Sequence, residues 1–434
     1  MASHYRSMVL LVAADALLPA ALALAVALPA CSSSESPAHE AQDATLPGAG
    51  DGARHDAAQR GVTPPPEGHA PWPTLADWHL FVDADKQAPA DRVVPYAVNS
   101  QLFADYAAKH RFVYVPESKK IGYHPTDKWD FPVGTILVKT FSYLADARDP
   151  TKGERLLETR LLVRESAGWA PHTYVWDVAQ TTATLEVAGD TIDAEFIDPS
   201  GNSRQNAYVV PNENDCRGCH GKVGVTNTLG GRTRQLERDN DYGSGPENQI
   251  DHFTNLGLFD VAPEPAADRE RLVDPFGTAD VFERVRSYVD GNCAHCHEPG
   301  AAQGSTSRLW LDYASTDPTK NPAVNWGVCK EPTSAGIGKC GLVYDVVPGA
   351  SDQSIIVCRV GSSSTRGAEK MPPLGRNLVH TEAVALLREW IDGLSGGCQP
   401  AGPPARDAGG GDSGGRDASA RGGSVVDASG GGGG

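Results

Sequence analysis

Between Trp78 and Val210 the chain carries short apolar windows, some alternating with polar residues, which is the signature of strands with one buried face. The windows 111–115, 134–141, 156–163, 173–176 and 207–210 are rich in β-branched and aromatic residues. Turn-forming clusters such as Asp149-Pro150 and Ala188-Gly189-Asp190 separate them. The pattern predicts an antiparallel, sandwich-like β domain over residues 73–235. One helix is expected to interrupt it at 100–109, where Leu102, Tyr106 and Ala107 share a face. Beyond this region the period lengthens to that of a helix. Short connecting helices are predicted at 236–239 and 249–258, within a linker spanning 236–273. Val281, Phe282, Val285, Tyr288 and Val289 then mark a clearer helix at 279–290. A last stripe of Val384, Leu387, Ile391 and Leu394 begins at a capping Thr381 and stops at Gly396-Gly397. The reading is an α+β chain of two domains, with an all-α domain over 274–398 after the β domain.

The two ends of the chain read differently. Residues 1–30 hold an early Arg6 and then a long Ala- and Leu-rich run, which predicts a secretory signal; Asp15 within the run makes it a poor membrane-spanning helix. Leu28-Pro29-Ala30-Cys31 resembles the lipobox of bacterial lipoproteins, which implies lipidation of Cys31 and membrane attachment through that lipid. Pro29 is uncommon inside that motif, which leaves ordinary cleavage or an uncleaved anchor as the alternatives. Residues 31–72 and 399–434 are Gly-, Pro-, Ser-, Ala- and Asp-rich and predict a disordered tether and a disordered tail. The expected location is therefore exported: periplasmic or outer-membrane, with the cell surface open. A net charge of −17 argues against nucleic acid and suits an acidic protein that meets a basic redox partner.

Cysteine spacing supplies the candidate chemistry. The chain has nine cysteines, and Cys-x-x-Cys-His occurs twice, at Cys216-Cys219-His220 and at Cys293-Cys296-His297. This is the attachment signature of a c-type haem, with two thiols for thioether bonds and an imidazole for the iron. Positions i, i+3 and i+4 lie on one side of a helical turn, so all three groups can meet one macrocycle. Two covalent haems c are expected. The rival is a zinc site, but neither motif has a second ligand pair at zinc-finger spacing. A sixth ligand has few sources, since only Met1, Met8 and Met371 exist and the first two lie in the signal. Met371, in Lys-Met-Pro-Pro-Leu, is expected to complete the iron at His297, because the prolines hold the backbone extended. A soft thioether there favours ferrous iron and closes both faces. For the iron at His220 the candidates are His252, His124, His172 and His110; an open face is equally admissible and would be where any catalysis occurs. Cys329, Cys340, Cys358 and Cys398 remain for two disulfides, with three pairings allowed. The most local joins Cys329 to Cys340 and leaves Cys358 with Cys398.

With these motifs in hand, residues 274–398 resemble the cytochrome c family in their Cys-x-x-Cys-His, Met-Pro-Pro loop and terminal Leu-x-x-Trp-Ile helix. Residues 78–391 are similar to a group of uncharacterised exported bacterial dihaem proteins, through Pro-Tyr-x-Val-Asn-Ser at Pro95, Phe-Pro-Val-Gly-Thr at Phe131, Glu-Thr-Arg-Leu-Leu-Val at Glu158, Tyr-Val-Trp at Tyr174 and Asn-Cys-Ala-His-Cys-His at Asn292. That resemblance implies haem binding and electron transfer. The Phe-Pro-Val-Gly-Thr strand before a Cys-x-x-Cys-His also resembles the β-sheet cytochromes that oxidise hydroxylamine. Such a resemblance implies an open first site and makes Lys139 the analogue of their haem-linked lysine. Two functions follow as expectations: electron transfer, or a haem oxidoreductase or gas-binding enzyme whose second haem is the electron outlet.

Overall fold

The computed structural model describes residues 61–222, 225–301, 305–333, 339–363 and 370–398. The signal 1–30, Cys31 and the tail 399–434 lie outside them. A short hairpin of β1 (Phe81–Asp83) and β2 (Ala88–Pro89) leads into the main sheet. That sheet comprises β3 (Val93–Pro95), β4 (Ala108–Tyr114), β5 (Ile136–Leu144), β6 (Glu154–Glu165), β7 (Gly168–Trp176) and β8 (Ala183–Leu185), each antiparallel to the next. Alternation assigns the two faces different work. Phe112, Ile136, Val138, Leu161, Tyr174 and Trp176 bury one face under Leu75 and Trp78. Trp78 Nε1 donates to Tyr174 Oη at 2.6 Å, which satisfies the indole inside an apolar layer.

The opposite face is covered at its two ends by different partners. A ribbon of β9 (Asp190–Ile197) and β10 (Ser203–Val210) packs Phe196 and Tyr208 on Phe141, Tyr143 and Leu157. Tyr143 and Phe196 stack with centroids 4.1 Å apart. At the other end Val113 and Leu137 meet Trp129, Ile250 and Phe253. Charged residues lie between these two covered ends, and the first motif follows the ribbon directly.

That motif sits in α1 (Glu213–His220), followed by β11 (Gly221–Lys222) and β12 (Val225–Thr226). Next come α2 (Thr233–Leu236), the β13 (Asp239–Asp241) and β14 (Pro246–Asn248) hairpin, and α3 (Gln249–Asn255). Asn248 caps α3 by accepting from the N–H groups of Ile250 and Asp251. α4 (Val281–Asn292), capped by Asp280, leads into the second motif; α5 (Ile355–Gly361) and α6 (Thr381–Gly393) follow. Among the described residues no helix is long and apolar enough to cross a membrane.

Several expectations are corrected. Among the described residues an all-α cytochrome c domain is not seen over 274–398, and strand, at 26%, exceeds helix, at 22%. The physical reason lies between α4 and α6, where Leu309, Leu311 and Val346 fill the core from turns and loops and Trp326 from a one-turn 3-10 helix, instead of from α-helices. The sandwich gives way to one six-stranded sheet faced by a two-stranded ribbon. No helix forms at 100–109: Asp105 and Tyr106 take φ of 53° and 64°, and β4 begins at Ala108. Thr381 is the first residue of α6, and His380 takes the capping position. The disulfides join Cys329 to Cys398 and Cys340 to Cys358 in place of the local pairing.

Asp105 shows why tertiary contact overrides helix periodicity. Its buried carboxylate accepts from Asn377 N at 2.8 Å, from Leu378 N at 2.7 Å and from Asn206 Nδ2 at 3.1 Å, which ties the Met371 loop to the ribbon. Asp105→Ala orphans those donors. We expect a loss of about 2–4 kcal/mol in stability, read from a shifted denaturation midpoint; a variant within about 0.5 kcal/mol of the parent would remove this role.

Candidate functional site

Each motif histidine is fixed through the backbone. His220 Nδ1 lies 2.9 Å from the Asn227 carbonyl, and the Asn227 N–H returns to the His220 carbonyl. His297 Nδ1 lies 3.1 Å from the Leu309 carbonyl and 3.3 Å from Ser307 Oγ, while Leu311 N donates to the His297 carbonyl at 2.8 Å. A carbonyl only accepts, so the ring proton sits on Nδ1 and the Nε2 lone pair is left for a metal. This is the second contact that metal-binding imidazoles characteristically make. Burial holds both rings neutral, pushing each pKa down to about 4 against the opposing pull of the carbonyl. Nothing in the sequence signals Asn227, Leu309 or Leu311, because a backbone carbonyl is the same on every residue.

The cysteines are in the state the motif requires. Cys216, Cys219, Cys293 and Cys296 are free thiols, while the other four described cysteines are paired. Burial pushes the Cys293 thiol up to about 12 and raises that of Cys216. The first motif forms a helical turn as expected. The second continues from α4 as a turn, with His297 N donating to Cys293 O at 2.9 Å.

The two motifs meet. The Cys296 thiol pulls the Cys219 pKa well down, with His295 assisting, and Cys219 drives that of Cys296 up. The motifs stand 77 positions apart from Cys219 to Cys296, and sequence spacing carries no sign of the contact. Charges close the seam. Arg232, after the first motif, pairs with Glu298, after the second, at 3.2 Å, and buried Arg234 reaches Asp290 in the last turn of α4 at 3.3 Å.

Met371 is held by one buried guanidinium. Arg376 donates to the carbonyls of Met371 at 2.7 Å, Val360 at 3.0 Å, Ser362 at 2.9 Å and Leu378 at 2.9 Å. It thereby ties the loop to the C-terminal end of α5, where carbonyls lack helical partners. Met371 N donates to Arg359 O at 2.9 Å, and the Arg359 charge acts on His297. The Met371–Pro372 bond is cis.

The four candidate histidines for the first site each make a contact of their own, which for His252, His110 and His124 uses one ring nitrogen. His252 Nδ1 pairs with Glu247 at 2.7 Å and its ring stacks on Tyr242; His110 pairs with Glu154 and His124 with Asp130. His172 lies against Trp78 on the other face of the sheet. The groups acting most on His220 are Asn227, Cys219, Lys139 and Arg160.

These features fit a covalently held iron tetrapyrrole: paired free thiols one turn from an imidazole whose outer nitrogen is already fixed. Among the described residues no group of three or more His, Cys, Asp or Glu converges as a metal cage. Comparison with family models, with curated proteins and with solved structures found no significant match for this chain.

Proposed function

We propose that this chain is an exported c-type protein that carries two covalent haems and moves electrons, tethered to a membrane through a lipid on Cys31. Cys216 and Cys219 would hold one haem with His220 as ligand, and Cys293 and Cys296 the other with His297 and Met371. Bound in this way, haem iron supplies one-electron storage. The repeated Cys-x-x-Cys-His, with each imidazole held at Nδ1 by a backbone carbonyl, carries the reading; the mutual influence of Cys219 and Cys296 favours exchange between the centres. Arg376 positions the Met371 loop, and the Asn227 and Leu309 carbonyls orient the imidazoles. The acidic surface suits a basic partner. The test is to mature the full chain with the haem-ligation machinery and count haem by the alkaline pyridine assay. Two haems per chain are expected; colourless or zinc-loaded protein would sink the proposal.

A second reading, a haem oxidoreductase or gas-binding enzyme at the first site, is favoured by one observation. None of the four candidate histidines is among the groups that act most on His220, which are Asn227, Cys219, Lys139 and Arg160. Carbon monoxide added to the reduced protein separates the two: a first haem that ignores it leaves electron transfer alone.

A further inference from the structure

The middle of the sheet face beside α1 carries a row of like charges. Arg111 on β4 is in register with Lys139 on β5, and Lys139 with Arg160 on β6. Lys109, two residues before Arg111, shares their face. Lys109, Lys139 and Arg160 gather round a single ring, with 5.9, 4.8 and 4.3 Å to the Phe141 centroid. Like charges directly opposite one another across a sheet are destabilising, and burial adds to the cost.

The carboxylates nearby do not compensate the row. Glu158 is committed to Arg160, whose Nε donates to it at 2.8 Å, and to Tyr208 Oη at 2.6 Å. Asp105 is committed to Asn377, Leu378 and Asn206. Arg111, only 8% exposed, makes one long bond, from Nη1 to Lys109 O at 3.4 Å. Lys109 Nζ donates to the Ala107 carbonyl. Lys139 Nζ has no hydrogen-bond or ion-pair partner among the described residues, and it faces the Phe141 ring. The groups without a compensating carboxylate are therefore Lys109, Arg111 and Lys139; burial and the neighbouring cations push the two lysines toward the neutral form, and an anion among them would restore their charge. It lies beside the first motif, since Lys139 and Arg160 both act on His220 and Arg160 acts on Cys216.

We propose that Arg111 and Lys139, flanked by Lys109 and Arg160, form a carboxylate-binding site on the sheet face beside His220, occupied by the propionates of the haem attached through Cys216 and Cys219. This rests on the two-haem reading. A planar guanidinium beside an ammonium suits a carboxylate, by charge-assisted hydrogen bonds. A free small oxyanion shares that chemistry and is the other source of the same negative charge.

The experiment uses the matured full chain, its Lys139→Met and Arg111→Gln variants, and the conservative Lys139→Arg. Each is titrated potentiometrically while both haem spectra are followed, with and without added inorganic phosphate, and haem is counted on the same samples. For propionates, Lys139→Met and Arg111→Gln lower the midpoint of the first haem, Lys139→Arg restores it, the second haem does not move, and phosphate has no effect on the parent. A saturable phosphate shift in the parent, lost in Lys139→Met, assigns the site to a free oxyanion. Unchanged midpoints in both variants together with no phosphate effect overturn the site while the two-haem count stands. A chain with no haem at Cys216 defeats the two-haem reading separately and excludes the propionate source; saturable phosphate binding, measured by calorimetry and abolished by Lys139→Met, then keeps the anion site, and its absence removes it.

Discussion

Replacing Cys293 and Cys296 together with serine is expected to leave a matured chain with one covalent haem where the proposed function gives the parent two, so the haem count per chain should halve. Serine is close in size and cannot form a thioether, and His297 alone supplies only a reversible bond to iron. The mirror pair, Cys216→Ser with Cys219→Ser, also halves the count and should strip the other spectrum, which tells the two centres apart. Stability should fall as well, because a ligand held only by the folded state adds its binding energy to folding. Cys293 sits against the core between α4 and α6, so the thermal transition of that half should drop further than that of the sheet. Two haems retained in either double variant would refute the attachment sites.

Met371→Ala should lower the midpoint of the haem on His297 by about 0.1 V or more, within the roughly 0.8 V range over which axial ligands set haem potentials. The thioether stabilises ferrous iron, and alanine leaves the position to water or to nothing. The same variant should bind carbon monoxide at that haem, where the parent does not. An unchanged spectrum and midpoint would remove Met371 as a ligand. Arg376→Leu provides a companion test, since Arg376 holds the Met371 carbonyl and the end of α5 without belonging to the ligand set. It should weaken the sulfur bond partially, seen as a mixed spectrum that sharpens on cooling.

Much of the β half was legible from local pattern. The windows at 111–115, 134–141, 156–163, 173–176 and 207–210 all fall within β4, β5, β6, β7 or β10 or at their margins, because a strand with one buried face repeats every two residues. The α4 and α6 stripes were equally plain. β9 escaped notice, since Asp190, Asp193 and Glu195 point outward along it and mask its buried Ala194 and Phe196. The expected helix at 100–109 failed for the opposite reason. Its spacing was helical, but Asp105 is drawn into a turn by backbone donors 272 and 273 residues away.

The sequence by itself determined which side chains could do chemistry: two thiol pairs each followed by a histidine, and one methionine beyond Met8. It also determined the strands and the longer helices, because spacing along a chain dictates which side chains share a face. Tertiary structure alone decided that the two motifs touch and that Cys329 pairs with Cys398. It alone decided that carbonyls hold both imidazoles, and that Arg111, Lys139 and Arg160 fall in one row. The physical reason is the same throughout. Those relations depend on register and on closing long loops, and the hold on the imidazoles is made by backbone groups that every residue carries alike.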